Sequence, residues 1–200
     1  MAAHASKGKA VDFDLGQSWL SGRVVCSAMA RILVLYASVE GQTSRVAGRI
    51  AETLRQGGHA VETREARRDS AIPGPRDYDA LIVGASVHYG RHPGWLRAAL
   101  RRQRDALVAK PAAFFSVSLS ASEHYGADFL RQVGWQPLLV ASFAGALRYS
   151  RYGWFKRHLV RAFARMGGHD TDASRDYEYT DWGSVAHFAE AFAQRLAARA

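Results

Sequence analysis

A group of hydroxyl and glycine residues follows a short apolar run in this sequence. The apolar run is residues 32–35, and Ser38, Gly41 and Thr43 come just before a helical pattern begins. Backbone N–H groups at a helix N-terminus, together with the positive end of the helix dipole, form a binding site for an anion. Gly41 lets the backbone curl close to such an anion, and the two hydroxyls can donate to phosphate oxygens. The spacing therefore predicts a phosphate site at a strand-to-helix turn.

The residue types exclude two common kinds of phosphate loop. A Walker-type loop needs Gly-Lys-Ser or Gly-Lys-Thr so that the lysine meets a triphosphate, and residues 36–50 contain no lysine. The Gly-x-Gly-x-x-Gly pattern of dinucleotide sites is absent as well. A monophosphate held by amides and hydroxyls fits better. Taken alone, the pattern also allows a simpler role in which Thr43 only caps a helix, and its place after a first strand favours the phosphate site.

The elements that must position this loop alternate between apolar runs and helical patterns. Such alternation predicts βαβ units with right-handed crossovers, and hence a parallel sheet with helices on both faces. Ligands of such sheets bind at the carboxyl ends of the strands, beside the first strand. Strands are predicted at 32–36, 59–66, 80–84, 112–119 and 137–143, helices at 46–54, 95–107, 129–133 and 185–196, and a loop at 120–126.

Length and composition restrict the class of protein. Two hundred residues suffice for one domain with a full core. The one cysteine, Cys26, permits no intramolecular disulfide and suits a reducing cytoplasm. The uncharged stretch 137–147 is too short to span a bilayer, which needs about 20 residues. The formal charge of +9 would attract nucleic acid, anionic lipid or an acidic substrate, and does not choose among them.

The first residues show no sustained hydrophobic period. Asp12 and Asp14 interrupt the apolar centre that a secretory signal would need. Met29 stands just before the first strand, where a domain of this kind would begin. We therefore expect an unstructured leader over residues 1–29, for which a mis-assigned translation start is one explanation, and a single domain over residues 30–200.

The element order and the hydroxyl-rich first loop resemble the flavodoxin-like family, whose phosphate loop lies at this position and binds FMN. The resemblance implies an α/β fold with a five-stranded parallel sheet and helices on both faces. It also implies two further loops, after the third and fourth strands, that hold the isoalloxazine ring. Tyr89 could stack on that ring or could be a half-buried loop tyrosine. The implied cofactor-binding residues are Ser38, Val39, Glu40, Gly41, Gln42, Thr43, Ser86, Tyr89, Gly90, Ser116, Val117, Ser118 and Leu119.

A second pattern, in residues 145–168, has no counterpart in a simple flavin carrier. Phe155, Leu159, Phe163 and Met166 fall on one helical face, which predicts a basic helix that lies on a membrane surface. An ordinary domain helix with its apolar face in the core is the alternative. Nucleic acid ranks below both, because no groove-reading motif is present. The segment contains six cations and no acid, namely Arg148, Arg151, Lys156, Arg157, Arg161 and Arg165.

Several segments narrow the resemblance: GQT in the first loop, IVGASVHYG, FFSVSL, AGALRYSRY and YTDW. Together they resemble the oxygen-independent, quinone-linked protoporphyrinogen oxidases of bacterial haem synthesis, which are long-chain flavodoxins with an insertion near the fifth strand. The resemblance implies FMN-dependent oxidation of protoporphyrinogen IX to protoporphyrin IX, with electrons leaving to a membrane quinone. It implies a place at the cytoplasmic face of the inner membrane. Arg148 and Arg151 could then pair with the two propionates of the porphyrinogen, since a guanidinium meets a carboxylate bidentately.

Two other functions remain open at this point. A flavodoxin that shuttles electrons between proteins is one, although such carriers are generally acidic and the predicted domain carries +8, the total of +9 less +1 in the leader. An NAD(P)H:quinone reductase that uses FMN is the other. No residue must act as a general base, and His88 and Tyr89 are the nearest candidates by loop position.

Overall fold

The computed structural model describes residues 29–68, 77–147, 172 and 175–199. Within these residues the chain alternates strands and helices, which confirms the predicted α/β class. The elements are β1 (Arg31–Ala37), α1 (Gln42–Gln56), β2 (Ala60–Glu65), β3 (Ala80–Ser86), α2 (Gly94–Arg102), α3 (Arg104–Val108), β4 (Ala112–Ser118), α4 (Glu123–Val133), β5 (Leu139–Ala144), β6 (Ala146–Leu147), β7 (Tyr177–Glu178) and α5 (Trp182–Ala197).

The main sheet of the described residues is five-stranded and parallel, in the order β2-β1-β3-β4-β5. The chain runs from β1 outwards to β2 and then returns to the other side of β1 as β3. Tyr36 at the end of β1 therefore has Glu65 of β2 on one side and Gly84 of β3 on the other. This reversal leaves a crevice at the carboxyl ends of β1 and β3, which is where ligands of such sheets bind.

The two faces of the sheet bury separate apolar cores, because successive side chains of a strand point to opposite faces. Ile32 and Val34 of β1 pack with α1 and α5, whereas Leu33 and Leu35 pack with α2, α3 and α4. Phe114 and Phe115 of β4 divide in the same way and are both fully buried. The prediction of helices on both faces is confirmed.

Two helices differ from their predicted bounds by more than an extension of a few residues at the ends. The predicted helix 95–107 is divided at Gln103, whose φ and ψ of −106° and 14° end α2 before α3 begins. The predicted short helix 129–133 begins six residues earlier, at Glu123, so the expected loop 120–126 is shorter than predicted. The low helix propensity of Gly126 argues against a helix there, but the packing of α4 against Phe114 overrides that local preference.

A small antiparallel pair of strands lies beyond the main sheet and was not predicted. Ala146 and Leu147 of β6 pair with Glu178 and Tyr177 of β7. The chain therefore leaves the main sheet after Ala144, forms β6, and is back beside β6 at Tyr177. The predicted basic helix lies between these strands, in residues 151–166, and is outside the described residues, as is the predicted leader up to residue 28.

In the part of the chain that the structure describes, no helix has the length and apolar character needed to cross a membrane.

Candidate cofactor site

A cavity of about 590 Å³ opens at the carboxyl ends of β1, β3 and β4. Each of these strands contributes the loop that follows it, and the residues after β5 close another side. This is the place that the strand topology predicts for a ligand. The lining residues are Val39, Glu40, Gln42, Thr43, Ser86, Val87, His88, Tyr89, Gly90, Val117, Ser118, Leu119, Ser120, Tyr125, Gly145, Ala146 and Leu147.

The first loop, residues 38–43, turns sharply from β1 into α1. Gly41 precedes the helix with φ = 91°, a left-handed conformation that favours glycine. The Ser38 hydroxyl accepts a hydrogen bond from the Gly41 N–H at 3.0 Å and so closes the turn. No side chain caps the helix and no acidic residue lies in its first turn. The N-terminus of α1 therefore presents its positive dipole end to the cavity beside the buried Thr43.

The second loop contains a tight turn that exposes a tyrosine. His88 and Arg91 exchange backbone hydrogen bonds of 2.9 and 3.3 Å, with Tyr89 at φ = 50° and Gly90 at φ = 75° between them. Positive φ at both central residues is the geometry of a type I′ turn. Tyr89 is 62% exposed, and Val39 in the first loop is 52% exposed. These apolar surfaces flank the cavity, where a planar ring system could cover them.

A buried histidine holds the second loop against β4. His92 Nδ1 lies 3.1 Å from the Ser86 carbonyl oxygen, and Nε2 lies 3.3 Å from Ser116 Oγ. Because a carbonyl only accepts, Nδ1 carries the proton and Nε2 accepts from the serine hydroxyl. Burial lowers the pKa of His92 to about 4, so the ring is neutral near pH 7. Phe114 and Phe129 enclose the ring edge to face.

The third loop follows β4 and is braced by Ser118. The Ser118 hydroxyl accepts a hydrogen bond from the Ser122 N–H at 3.2 Å. The backbone carbonyl of Ser118 accepts one from the Gly145 N–H at 2.8 Å. The loop is therefore joined to the start of α4 and to the segment after β5. The remaining wall of the cavity comes from Tyr125 on α4 and from residues 145–147.

One buried hydroxyl in the cavity wall has no protein partner. Ser86 Oγ is buried and makes no hydrogen bond with the described residues. Leaving a buried hydroxyl without a partner costs about 1–3 kcal/mol, so such an atom in a cavity wall indicates a polar ligand atom opposite it. The helix N-terminus, the exposed Tyr89 and Val39 and this hydroxyl together fit a flavin with a phosphate tail.

A network of polar side chains lies behind the first loop. Gln42 Nε2 donates to Thr180 Oγ1 at 2.8 Å and to Glu178 Oε1 at 3.2 Å. Arg45 donates to Glu178 Oε2 at 2.7 Å, and its guanidinium lies 5.0 Å from the ring of Trp182. The hydrogen bond from Arg45 and burial act in opposite directions on Glu178, and the net effect lowers its pKa. The GQT and YTDW segments of the sequence thus contact each other.

All of the predicted cofactor residues line the cavity except Ser38, Gly41 and Ser116. Ser38 and Gly41 shape the first loop, while the hydroxyl of Ser116 is buried against His92. The cofactor role of these residues remains a prediction. Arg148 and Arg151, predicted to bind the propionates, lie outside the described residues.

Several lining residues were not among the predicted cofactor residues. Val87, His88 and Ser120 lie in the two loops predicted after the third and fourth strands, and the rule that ligands bind at the carboxyl ends of the strands would have indicated residues 145–147. Tyr125 gave no signal, because the start of α4 was misplaced.

The strand order, the crevice and the three loops define a flavodoxin-type fold, and a comparison with solved structures agrees. The flavodoxin of Streptococcus pneumoniae TIGR4 superposes with a TM-score of 0.53 at 18% identity, over 86% of this chain and 100% of that one. The flavodoxin domain profile matches residues 33–174. The chain is thus a flavoprotein of flavodoxin type.

Curated relatives place it more narrowly. The protoporphyrinogen IX dehydrogenase [quinone] of Escherichia coli K12 is 32% identical over 172 residues, covering 82% of this chain and 94% of the relative. The protein of the same name from Leishmania major is 33% identical over 183 residues, covering 84% of this chain and 77% of the relative. The chain belongs to this family of quinone-linked protoporphyrinogen IX dehydrogenases within the flavodoxin fold, and is an oxidoreductase.

Proposed function

We propose that this chain binds FMN in the cavity and oxidises protoporphyrinogen IX to protoporphyrin IX, with a membrane quinone as electron acceptor, in haem biosynthesis. The observation that carries the proposal is the cavity itself. It has an uncapped helix N-terminus on one wall, exposed Tyr89 and Val39 at its edges and an unpaired Ser86 hydroxyl inside. The family to which the chain belongs supplies the reaction.

The residues favour a mononucleotide flavin over a dinucleotide. The N-terminal turn of α1 and the Thr43 hydroxyl would hold one phosphate, since both offer donors and no acidic side chain lies in that turn. The sequence contains no second phosphate-binding glycine motif. Tyr89 and Val39 would cover the ring system, and Ser86 would donate to one of its polar edge atoms. When bound, the flavin supplies the redox chemistry by accepting electrons from one substrate and passing them to another.

The protein's own contribution is to bind, to orient and to exclude water. The I′ turn holds Tyr89 at the cavity edge, and the neutral His92 fixes that turn to β4. The buried Val117 and Leu147 give the cavity an apolar wall, which would disfavour water beside a bound ring system. Arg148 follows Leu147 directly in the sequence, and we propose that Arg148 and Arg151 bind the propionates of the porphyrinogen.

The quinone acceptor fits a protein that works at a membrane surface. A quinone is held in the bilayer, so its reductant must reach the cytoplasmic face of the inner membrane. The basic residues of 151–166 would attract the protein to the anionic membrane surface, and the segment would not cross the bilayer. Peripheral membrane binding is therefore part of the proposal.

Anaerobic single-turnover spectroscopy tests the reaction. The purified protein should be yellow and should release FMN, and protoporphyrinogen IX should bleach the flavin without oxygen. A quinone should then restore the absorbance. Bleaching by NADPH alone would instead support an NAD(P)H:quinone reductase. If neither protoporphyrinogen IX nor NADPH bleaches the flavin, and only a reductase protein reduces it, the protein would be an electron carrier.

A further inference from the structure

We propose that Gln42 and Thr180 are positioning residues for the flavin phosphate, because they fix the first loop of the cavity to the segment that follows β7. The inference rests on the proposed binding of FMN. It concerns the side chains that brace the phosphate loop rather than the groups that would donate to the phosphate, and it gives the YTDW segment a role. The two side chains are 138 residues apart in the sequence and are both buried.

The hydrogen bonds allow only one arrangement of these groups. Thr180 Oγ1 donates its single hydrogen to the Ala144 carbonyl at 2.7 Å. The hydroxyl must therefore act as acceptor toward Gln42 Nε2 at 2.8 Å. Gln42 Oε1 in turn accepts from Arg45 at 3.2 Å. The Gln42 amide is thus held at both ends, and a rotated amide would bring Oε1 against the oxygens of Thr180 and Glu178.

The position of Gln42 in the fold makes this arrangement relevant to the ligand. Gln42 is the first residue of α1 and lines the cavity beside Thr43. The preceding Gly41 offers no side chain that could brace the turn. Besides the bond between Ser38 and Gly41 and the bond from Ser44 to Tyr36, the helix start is held through Gln42 and Arg45, which join it to Thr180 and Glu178. Preorganised N–H groups bind an anion better than groups that must first be ordered.

The other end of the contact lies at the beginning of α5 and at the end of β5. Thr180 is followed by Asp181, which caps α5 by accepting from the Gly183 and Ser184 N–H groups. Arg45 reaches the same place through Glu178 and Trp182. The capped start of α5 thus braces the first loop through Thr180 and Glu178. By linkage, binding of the phosphate must also stabilise the contact between the first loop and Thr180.

Thr180→Val tests the inference, since valine keeps the shape and removes the hydroxyl. Apoprotein is titrated with FMN, and the quenching of flavin fluorescence gives Kd. Loss of one buried hydrogen bond corresponds to an increase in Kd of about threefold to tenfold. Thr180→Ser, which restores the hydroxyl, should bind FMN within about twofold of the wild type. Thr53→Val is the matched control, because the Thr53 hydroxyl donates only within α1, to the Arg49 carbonyl.

A double-mutant cycle identifies the partner. If Gln42 and Thr180 act together, Gln42→Leu and Thr180→Val should have non-additive effects on Kd. Wild-type affinity in Thr180→Val, or equal weakening in Thr180→Ser and Thr180→Val, would overturn the inference, even if both variants lost thermal stability. A wild-type protein that does not bind FMN would overturn the proposed function, and this inference with it. If the wild type binds FMN but the effects of Gln42→Leu and Thr180→Val on Kd are additive, the inference is overturned and the proposed function is not.

Discussion

The ring of Phe115 on β4 occupies the space that a side chain at Gly84 on β3 would fill. The two residues are partners in the parallel register, and a Cβ built on Gly84 would overlap the ring. Phe115 is fully buried and contacts Phe143 and Phe188, so it has no room to move away. The glycine in the IVGAS segment is thus required by packing next to the cavity.

We expect Gly84→Ala to destabilise the protein by about 1–3 kcal/mol or more, because overpacking forces neighbours off their preferred rotamers. Urea unfolding followed by circular dichroism would measure the change. Gly48→Ala is the matched control. Gly48 lies within α1 with no atom near its Cβ position, so the substitution should stabilise by about 0.5–1 kcal/mol. Equal effects of the two substitutions would contradict the packing argument.

The buried His92 should make stability depend on pH. Burial lowers its pKa from 6.5 to about 4 in the folded protein. The unfolded chain therefore binds a proton as the pH falls below 6.5, whereas the folded chain does not. The stabilisation is complete above pH 6.5 and should fall by about 3 kcal/mol as the pH approaches 4.

His92→Gln isolates this contribution, since glutamine does not titrate and can still bond within the same pocket. The free energy of unfolding of both proteins is measured from pH 7.5 to 4. The difference between them should narrow as the pH falls. A difference that stays constant over this range would show that His92 titrates normally.

The first loop should determine FMN affinity through Thr43 more than through Ser38. Thr43 lines the cavity, and a hydroxyl that donates to a charged acceptor contributes about 1.5–3 kcal/mol. Thr43→Val should therefore raise the Kd for FMN by one to two orders of magnitude. Ser38→Ala removes only the bond to the Gly41 N–H and should have a smaller effect. Wild-type affinity in the double variant Ser38→Ala/Thr43→Ala, measured by fluorescence titration, would show that the phosphate lies elsewhere.

Charge reversal at Arg148 and Arg151 tests the proposed propionate contacts. We expect the KM for protoporphyrinogen to rise more than the KM for quinone, because only the porphyrinogen carries carboxylates. Reversal at Arg101 and Arg102, exposed on α2, is the charge-matched control. An equal rise in both KM values, with a normal circular dichroism spectrum, would remove the propionate role.

Vesicle co-sedimentation tests the membrane contact of residues 151–166. Each basic residue near an anionic surface contributes about 1 kcal/mol to the binding free energy. The attraction fades over a Debye length, which becomes shorter as salt is added. Binding should require anionic lipid, decrease at high salt, and weaken when Arg157, Arg161 and Arg165 become glutamate. Glutamate at the exposed Arg68, Arg101 and Arg102 changes net charge equally and should have less effect. Equal binding to neutral vesicles would contradict the role of the basic residues, and no binding to anionic vesicles would favour a helix packed in the core.

Much of the fold could be predicted from the sequence because its signals are local. Continuous apolar runs such as 32–35 indicate strands buried on both faces, and the spacing of Val46, Ile50 and Leu54 indicates a helix. The position of the first loop followed from chain order alone. Glycine and the hydroxyls around it indicate an anion site wherever such a turn precedes a helix.

Other features depend on residues that are distant in the chain, so only the tertiary structure decided them. The packing of α4 against Phe114 is not visible in the local pattern of residues 123–128, and the orientation of Ser116 depends on the neighbouring His92. Likewise, Gln42 and Thr180 form a pair only because α1 begins where β5 and β7 end. Local propensity carries no information about such contacts, because each residue's neighbours in space are set by how the strands are ordered.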